Sequence, residues 1–534
     1  MSGSDNKFLQ GAYAPVADEI GPASMKPIEG TLPECMEGGM YIRVGPNPPP
    51  ELLKKGMLYH WFDGDGMVHG VHFPRENDAS YLNRYVQTNI YTVQKKVGYR
   101  PFPGLGGFSK PDPFSLTSAL IKSYIGRQYL PTQQLATTAN TALVFHDARV
   151  LSLMEAAPPY ELTVPELETR GEYNYNGKFT EDLSTAQFSA HPKVCPETGE
   201  MFTFGYRLSA LPPIHYSVIK PDGELLLLKK PIEGLRVTMM HDFAITRHYA
   251  IFMDLPYIGD VTRPMTFKGA VLEYDPTLPS RFAILDRYGD GEIRWFEDPD
   301  ACYVYHTANA YEDGDEVVLQ GCRYPDGPVL ENNAKIEYEN RRRRRAIVVE
   351  WRFNLATGAV QRRNLMDQDC DYAVDFPVVN PEYFTRKCRY IYSTGLASET
   401  QPGGVHKIDC DTSSVEASYW FGEGEQGGEM SFVPQGSGMA PDSGYLVGYV
   451  CNKEVLVSYL DIVDARSMKR VCRYLLPGRV PYGFHGLWLN EHQIEQHRQA
   501  RESRGALGER NGAAEPQGLT TYQSALAWLA RFWY

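Results

Sequence analysis

Four histidines are the residues of this chain whose type and spacing could do chemistry together: His191, His241, His306 and His485. Each stands in or beside a β-like run of apolar or small residues, so each imidazole would be partly buried and would need a partner. Neutral imidazole is also a common metal ligand. Successive members are 50, 65 and 179 residues apart, so no single helix or loop can present two of them. Singly, each would be a hydrogen-bonded core residue; if they converge, each comes from a different supersecondary unit around a common axis.

The chain from about Thr141 to Leu489 is a succession of short β-like runs that are separated by turns. The 48 glycines and 38 prolines of the chain leave little room for long helices. Pro221-Asp222-Gly223 is one of several segments with the chemistry of a hairpin tip. Many antiparallel strands without helical crossovers predict an all-β sandwich, barrel or propeller. A propeller best suits 534 residues and four converging histidines.

A further turn signal lies in the segment YHWFDGDGMVHGVHF, residues 59–73. Asp63-Gly64-Asp65-Gly66 between two β-like runs is typical of a tight hairpin. We therefore expect a strand, a turn and a second strand here. The three histidines of the segment would fall on both faces of such a hairpin, which argues against a shared metal.

Residues 100–130 contain the clearest helical interruption. Pro113 suits the first turn of a helix. The apolar residues that follow fall roughly on one face: Phe114, Leu116, Leu120, Ile121, Tyr124 and Ile125. One interpretation is that this face packs on the core. The other is that residues 114–125 form an amphipathic patch that contacts a membrane peripherally and admits a lipophilic substrate.

Composition and charge restrict the partners and the compartment. A net charge of −13 argues against nucleic acid and favours a small neutral or apolar partner. The nine cysteines are scattered and never spaced as CxxC, which is typical of reduced thiols. The first residues have neither the basic nor the apolar region of a secretory signal, and no apolar run approaches the ~20 residues of a spanning helix. The expected location is cytoplasmic, with peripheral membrane contact as an addition.

Several ordered motifs resemble the carotenoid cleavage oxygenase family, which also contains enzymes that cleave lignostilbene and resveratrol. They run along most of the chain: YIRVGPNP, HWFDGDGMVHG, AQFSAHPK, MMHDFAIT, VYHTANAYED, GGEMSFVP and VPYGFHGLW. The resemblance implies a seven-bladed β-propeller with a helical and loop dome over one end. It also implies one non-haem Fe(II) on the propeller axis, held by His191, His241, His306 and His485. Imidazole suits Fe(II), and four neutral ligands leave the ion doubly charged.

The same resemblance implies three glutamates that accept hydrogen bonds from the ligand histidines, as metal-bound histidines usually require. Two of them match Glu155, in SLMEAAPPY, and Glu429, in GGEMSFVP. The third position falls in VDFPVVNP, where this chain has Asp375. Because Asp is one methylene shorter, the backbone moves inward, a water bridges the gap, or the hydrogen bond is weaker.

The sequence contains neither a dinucleotide-binding GxGxxG after a strand nor a P-loop. An electron-rich conjugated double bond can itself supply the electrons that O2 requires, so no reductant is needed. Both oxygen atoms would enter the alkene and give two carbonyl products. The alternative from another class is a non-catalytic propeller scaffold that binds proteins and has lost its metal.

The substrate is predicted from the residue before Glu155. Stilbene-cleaving relatives carry a lysine there and a tyrosine that together hold the substrate phenol, whereas this chain has Met154. Tyr124 and Tyr129 are in roughly the right region to line the substrate pocket. The apolar Met154 favours a carotenoid or apocarotenoid; a stilbene or phenylpropene is the alternative substrate class.

Three parts of the chain follow from these assignments. Residues 1–40 are predicted to be an N-terminal arm over the main body. Residues 41–489 are predicted to be a single catalytic domain of propeller and dome. Residues 490–534 are an atypical tail, helical at first and then partly disordered because of its polar composition.

Overall fold

The computed structural model describes most of the chain. All helices and strands named below lie within the described residues. The described ranges are 6–54, 59–104, 113–130, 134–155, 157–208, 211–260, 262–266, 268–328, 345–367, 372–395 and 403–506. Most of the predicted disordered part of the tail, residues 507–534, lies outside them.

The described chain is built mainly of short strands. The first nineteen are β1 (Ala23–Met25), β2 (Pro27–Gly30), β3 (Met40–Pro46), β4 (Gly66–His72), β5 (Ala79–Tyr85), β6 (Ala142–His146), β7 (Arg149–Met154), β8 (Ala157–Leu162), β9 (Thr169–Glu172), β10 (Lys193–Val194), β11 (Met201–Tyr206), β12 (Ile214–Ile219), β13 (Leu225–Ile232), β14 (Ala244–Ile245), β15 (Tyr249–Asp254), β16 (Tyr257–Gly259), β17 (Leu272–Tyr274), β18 (Ser280–Asp286) and β19 (Arg294–Asp298). The others are β20 (Tyr303–Asp313), β21 (Glu316–Tyr324), β22 (Ile347–Asn354), β23 (Val360–Asn364), β24 (Val374–Val378), β25 (Tyr390–Gly395), β26 (Gly404–Asp409), β27 (Ser414–Trp420), β28 (Glu425–Gly427), β29 (Ser431–Pro434), β30 (Gly444–Asn452), β31 (Val457–Asp464), β32 (Lys469–Leu475) and β33 (Gly486–Leu489).

Seven antiparallel sheets form the blades of a propeller, and the hairpin β16–β17 stands apart from them. Blades 1 to 5 are, in strand order, β6-β7-β8-β9, β10-β11-β12-β13, β14-β15-β18-β19, β20-β21-β22-β23 and β24-β25-β26-β27. Blade 6 is β2-β32-β31-β30 with β28 and β29 on β30, and blade 7 is β1-β5-β4-β3-β33. The prediction of an all-β, seven-bladed propeller is confirmed.

Both ends of the chain close the ring. Strand β33 pairs with β3, so that Gly486 lies opposite Arg43, and β2 pairs with the outer side of β32. Strand β1 completes the outer side of blade 7 by pairing with β5. The segment 1–40, predicted as an arm, therefore contributes strands to two blades. Closure by sequence-distant strands removes sheet edges that would otherwise stay unpaired.

The core lies between adjacent blades, where apolar side chains of neighbouring sheets pack face to face. Between blades 3 and 4, the ring centroid of Phe282 lies 4.8 Å from that of Phe353 and 5.4 Å from that of Trp351. All three side chains are fully buried. Aromatic pairs at these distances stabilise the packing beyond simple area burial. This burial on both faces explains why many strands read as nearly continuous apolar runs.

Three helices are defined in the described ranges: α1 (Asn89–Val97), α2 (Pro113–Arg127) and α3 (Glu491–Ala506). Helix α1 begins at Thr88, whose hydroxyl accepts a backbone N–H of the first turn, and ends at Gly98, which has φ +75°. These are the residue types expected at the two ends of a helix. Helix α2 begins at the proline that the sequence indicated.

The segment between β5 and β6 carries α1 and α2, and its described parts are residues 86–104, 113–130 and 134–141. The side-chain amide of Asn140 donates to the carbonyl of Phe62 at 2.9 Å. The ring of Phe62 lies 5.5 Å from that of Phe484, the neighbour of His485. The last described part of this segment therefore lies beside the residues that surround His485.

The first interpretation of helix α2, an apolar face packed on the core, is wrong for most of that face. Ile125 is buried, but the side chains of Phe114, Leu120, Ile121 and Tyr124 are 77%, 54%, 50% and 57% exposed. The buried side of the helix includes Ala119 and Ile125, and the four large apolar side chains named above are on its exposed side.

The predicted hairpin at 59–73 is also not formed. Trp61–Asp63 is a single turn of 3-10 helix, and β4 pairs with β3 and β5. The backbone N–H of His60 donates to Asp63 Oδ2 at 3.1 Å. Asp63 therefore caps a helical turn instead of leading into a β-turn.

In the part of the chain that the structure describes, no helix is both long and apolar enough to cross a membrane.

Candidate metal centre

The four predicted histidines converge in space. One ring nitrogen from each of His191, His241, His306 and His485 lies within 4.8 Å of the other three. The Nε2 atoms of His191 and His241 are 2.9 Å apart. Four imidazole nitrogens this close form a cage of the size and chemistry that a single transition-metal ion requires.

Each histidine belongs to a different blade. It lies in, or just before, a strand at the edge of its sheet, and this is β10, β14, β20 or β33. His191 precedes β10, His241 precedes β14, His306 lies within β20, and His485 precedes β33. The terminal strands contact one another, β20 with β14 and β24, and β33 with β6 and β29. This end of every sheet therefore faces the common axis. The pairing of β20 with β21 is irregular between Val304 and Thr307, the interval that contains His306, and again between Thr307 and Asn309, as is common beside functional sites.

The three remaining blades supply carboxylates. Glu155 follows β7 in blade 1, Asp375 lies in β24 of blade 5, and Glu429 precedes β29 in blade 6. Each accepts from the Nδ1 of one histidine: Glu155 from His241, Asp375 from His306 at 2.9 Å and Glu429 from His485 at 3.0 Å. Because a carboxylate only accepts, each of these Nδ1 atoms carries the proton and the Nε2 lone pair faces the centre.

Burial keeps the centre suited to neutral ligands. It lowers the pKa of His191 well below its ordinary value, and the three neighbouring imidazoles lower it further. Burial also lowers the pKa of His306, although Asp375 opposes this shift. For His241, burial likewise acts to lower the pKa, but Glu155 outweighs it and the pKa is raised.

Asp375 reaches His306 directly, without a bridging group. The pairing of β24 with β25 is irregular between Asp375 and Val378, and Phe376 has φ +52°. The backbone is therefore locally distorted directly after Asp375. The other carboxylate oxygen, Oδ2, accepts from the phenol of Tyr324 at 2.5 Å. The hydrogen bond to His306 is thus direct and of ordinary length, so the shorter side chain needs neither a bridging water nor a weaker hydrogen bond.

Two tyrosines that sequence reasoning missed hold the carboxylates from behind. Tyr206 donates to Glu155 Oε2 at 2.7 Å, as Tyr324 does to Asp375. Each is the last residue of the second strand of its blade, β11 and β21. The signal in the sequence is thus a tyrosine at the same strand end of two blades. Glu429 Oε2 is held instead by the backbone N–H of Gly486 at 2.7 Å.

Aromatic rings line the centre. The ring of Phe376 stacks on that of His306 with centroids 5.0 Å apart and lies 5.2 Å from that of His485. Tyr305 lies edge-on to His241 at 5.8 Å. These rings exclude water and present flat apolar surface beside the four nitrogens.

The residues predicted for the substrate pocket are more scattered. Half-buried Met154 ends β7 directly before Glu155, as the sequence requires. Tyr124 is exposed on α2, and the phenol of Tyr129 lies 3.1 Å from that of Tyr99. Their contact with substrate stays a prediction.

Comparisons with known proteins agree with this geometry. Residues 13–490 match the family described as RPE65, retinal pigment epithelial membrane protein. The carotenoid 9,10(9′,10′)-cleavage dioxygenase 1 of Arabidopsis thaliana is 38% identical over 523 residues, which cover 92% of this chain and 91% of that protein. The corresponding enzyme of Crocus sativus is 37% identical over 514 residues, 91% and 90% of the two chains.

Solved structures share the fold along most of its length. The lignostilbene dioxygenase of Pseudomonas brassicacearum superposes with a TM-score of 0.75 at 26% identity, over 92% of this chain and 100% of that one. A cobalt-substituted apocarotenoid oxygenase of Synechocystis gives a TM-score of 0.73 at 25% identity, over 89% and 97% of the two chains. With four converging histidines in the same chain, these matches show that the protein is an enzyme of the carotenoid cleavage dioxygenase family.

Proposed function

We propose that this protein is a non-haem iron(II) dioxygenase that cleaves a conjugated C=C bond of a carotenoid or apocarotenoid. The observation that carries the proposal is the cage of four imidazole nitrogens, three of them oriented by carboxylates. His191, His241, His306 and His485 would hold the ion, and four neutral imidazoles suit iron(II). When bound, iron(II) supplies the redox-active, Lewis-acidic centre at which O2 reacts with the alkene.

The reaction balances without another cofactor. One C=C bond and one O=O bond break and two C=O bonds form, so the alkene and O2 give two carbonyl products. The π electrons of the conjugated substrate reduce O2, and no external reductant is consumed. The work of the protein is to hold the ion, orient the double bond and exclude water. Phe376 and Tyr305 are placed beside the histidines for the last two tasks.

The substrate class rests on Met154 and on the relatives. Two of the most similar relatives are named for cleavage of carotenoids at the 9,10 and 9′,10′ bonds, and we propose the same bonds for this chain. The apolar thioether of Met154 suits a hydrocarbon polyene. The second candidate is a hydroxystilbene, which the structural match to a lignostilbene dioxygenase supports.

The exposed face of α2 is proposed to dock on the lipid surface that holds such a substrate. Phe114, Leu120, Ile121 and Tyr124 are all at least half exposed on this one helix. Helix α2 also contacts the helical turn Pro264–Thr266, in which Met265 is 54% exposed. Large apolar side chains grouped in this way are typical of interfacial contacts.

The deciding experiment measures metal content and products together. Protein purified with iron supplied is expected to contain about one iron per chain, as a single four-histidine centre requires. It should convert a C40 carotenoid or an apocarotenal to aldehydes that mass spectrometry identifies, and 18O2 should label both carbonyl groups. Well-folded protein without iron and without products would contradict the proposal.

A further inference from the structure

One buried carboxylate connects three of the four segments that carry the histidines. Among the described residues, it forms no hydrogen bond with a histidine ring. Asp242 directly follows His241 and is 1% exposed. Its Oδ1 lies 2.7 Å from Nζ of Lys193, two residues after His191. Its Oδ2 accepts from both the backbone N–H and the hydroxyl of Thr307, the residue after His306, each at 2.8 Å.

These contacts join blades 2, 3 and 4 at the axis. Lys193 begins β10, Asp242 precedes β14, and Thr307 lies in β20. The Oδ1 atom also accepts from the backbone N–H of Phe243 at 2.8 Å. The side chain of Asp242 therefore accepts four hydrogen bonds from three blades. Together these hydrogen bonds fix its rotamer and its position.

His191 is the ligand that most needs such a link. Each of the other three histidines has a carboxylate at Nδ1, whereas among the described residues no carboxylate is bonded to the ring of His191. Its backbone N–H donates to the hydroxyl of Ser189 at 2.9 Å. The position of its ring therefore follows from the backbone of its own segment, and Lys193 is the residue that ties this segment to a neighbouring blade.

We propose that Asp242 is a positioning residue of the metal centre, which with Lys193 and Thr307 sets the separation of His191, His241 and His306. It acts on the backbone segments that carry the three histidines and not on their rings. The inference rests on the proposed function, since it assumes that the four histidines bind one ion. Ligands must be held to within about 0.5 Å for a site to keep its geometry, and a buried carboxylate that bonds to two neighbouring blades constrains their separation directly.

The test uses Asp242→Asn, Lys193→Met and Thr307→Val, with Thr307→Ser as the conservative control. We expect the first three to weaken binding of Co2+, measured by competition with a chelator, by about 10- to 100-fold, as for other groups that orient metal ligands. The visible spectrum of bound Co2+ should change because the ligand geometry changes. Thr307→Ser keeps the hydroxyl and should match the wild type in both measurements.

A matched control separates metal positioning from general stability. Asp461 is also fully buried and is paired with Arg473 at 2.6 Å, but it lies in β31, away from the terminal strands at the axis. Asp461→Asn should lower the thermal stability of the metal-free protein, since it removes the buried charge that accepts from Arg473 and from the phenol of Tyr419. It should leave the Co2+ affinity and spectrum unchanged.

The outcomes distinguish the two proposals. Wild-type protein that binds no Co2+ or iron would overturn the proposed function. Wild-type protein that binds one ion, together with an Asp242→Asn variant of unchanged affinity and spectrum, would overturn only the role of Asp242. If Asp242→Asn does not fold, the comparison of Thr307→Val with Thr307→Ser decides, because the ion pair with Lys193 stays in both; equal affinity and equal spectra would then refute the inference.

Discussion

Asp375 accepts a hydrogen bond from Nδ1 of His306 at 2.9 Å, a distance equal within 0.1 Å to that between Glu429 and His485. The shorter side chain thus makes a contact of the same length. The pairing of β24 with β25 is irregular directly after Asp375. Burial opposes the charge on Asp375, but His306, Tyr324 and the N–H of Phe376 hold its pKa below the ordinary value.

Asp375→Glu is therefore expected to weaken the centre, although it introduces the residue that the family resemblance implies. The extra methylene would push the carboxylate into His306 or into Tyr324, which is already 2.5 Å from it. We expect metal affinity to fall by about 10-fold, in the range known for groups that orient ligands. Glu429→Asp should have a similar effect for the opposite reason, because the shortened side chain loses His485. Higher affinity in Asp375→Glu would show that the site is not matched to the shorter side chain.

Alanine at any of the four histidines should remove the metal and the activity while the fold survives. The propeller is held by apolar packing between blades, which these substitutions do not touch. The loss of metal is checked by measuring the iron content with mass spectrometry. The survival of the fold is checked by far-UV circular dichroism. Glu155→Gln and Glu429→Gln should be milder, with activity lower by about 10- to 100-fold. A histidine variant with normal iron content and turnover would show that the wrong residue had been assigned.

The sequence was sufficient for the architecture and for the four histidines, because strand patterning and ordered motifs extend along most of the chain. It was not sufficient for local geometry. The Asp63-Gly64-Asp65-Gly66 segment has the composition of a hairpin, yet the capping contact between Asp63 and His60 forms a helical turn. Periodicity likewise gave the apolar face of α2 but not its direction, since a packed face and an interfacial face have the same pattern.

The residues that support the centre were hidden for a related reason. Tyr206, Tyr324, Lys193 and Thr307 act through contacts between blades, and no spacing along the chain reveals which blades are neighbours at the axis. The predicted role of residues 490–534 as a tail and the predicted cytoplasmic location stay predictions. The eight cysteines in the described ranges are free, as their scattered spacing indicated.

Stability should depend on pH through Glu172, which is unrelated to the metal centre. Burial raises its pKa to about 7, from 4.5 for an ordinary glutamate. The folded state therefore binds this proton more tightly than the unfolded state. The contribution of the protonated Glu172 to the free energy of unfolding is complete below pH 4.5 and is lost as the pH rises through about 7. Glu172→Gln should raise the Tm by about 1 to 2 °C at pH 8 relative to the wild type and change it little at pH 4.5. An equal shift at both pH values would contradict the titration.

The exposed face of α2 should decide binding to lipid vesicles. The side chains of Leu120 and Ile121 are each at least 50% exposed. Leu120→Ser and Ile121→Ser should each lower the vesicle–water partition coefficient of the protein on the order of 10-fold, because each removes the transfer free energy of one aliphatic side chain. Val455→Ser is the matched control, because Val455 is 65% exposed in the turn before β31. The partition coefficient of each variant is measured by sedimentation with phosphatidylcholine vesicles. Equal losses in the control would mean that α2 has no special role.

Met154→Lys should shift the substrate preference from polyenes towards 4-hydroxystilbenes. A phenolate that enters an apolar pocket loses hydration worth several kcal/mol unless a cation replaces it. Met154 ends β7 directly beside Glu155, so a lysine there would bring an ammonium group close to the metal centre. Met154→Leu is the control that keeps an apolar side chain of similar volume. The measurement is kcat/KM for an apocarotenal and for resveratrol with each iron-loaded variant. Efficient cleavage of resveratrol by the unmodified protein, with the apocarotenal untouched, would reverse the order of the two substrate classes and would require another residue to bind the phenol.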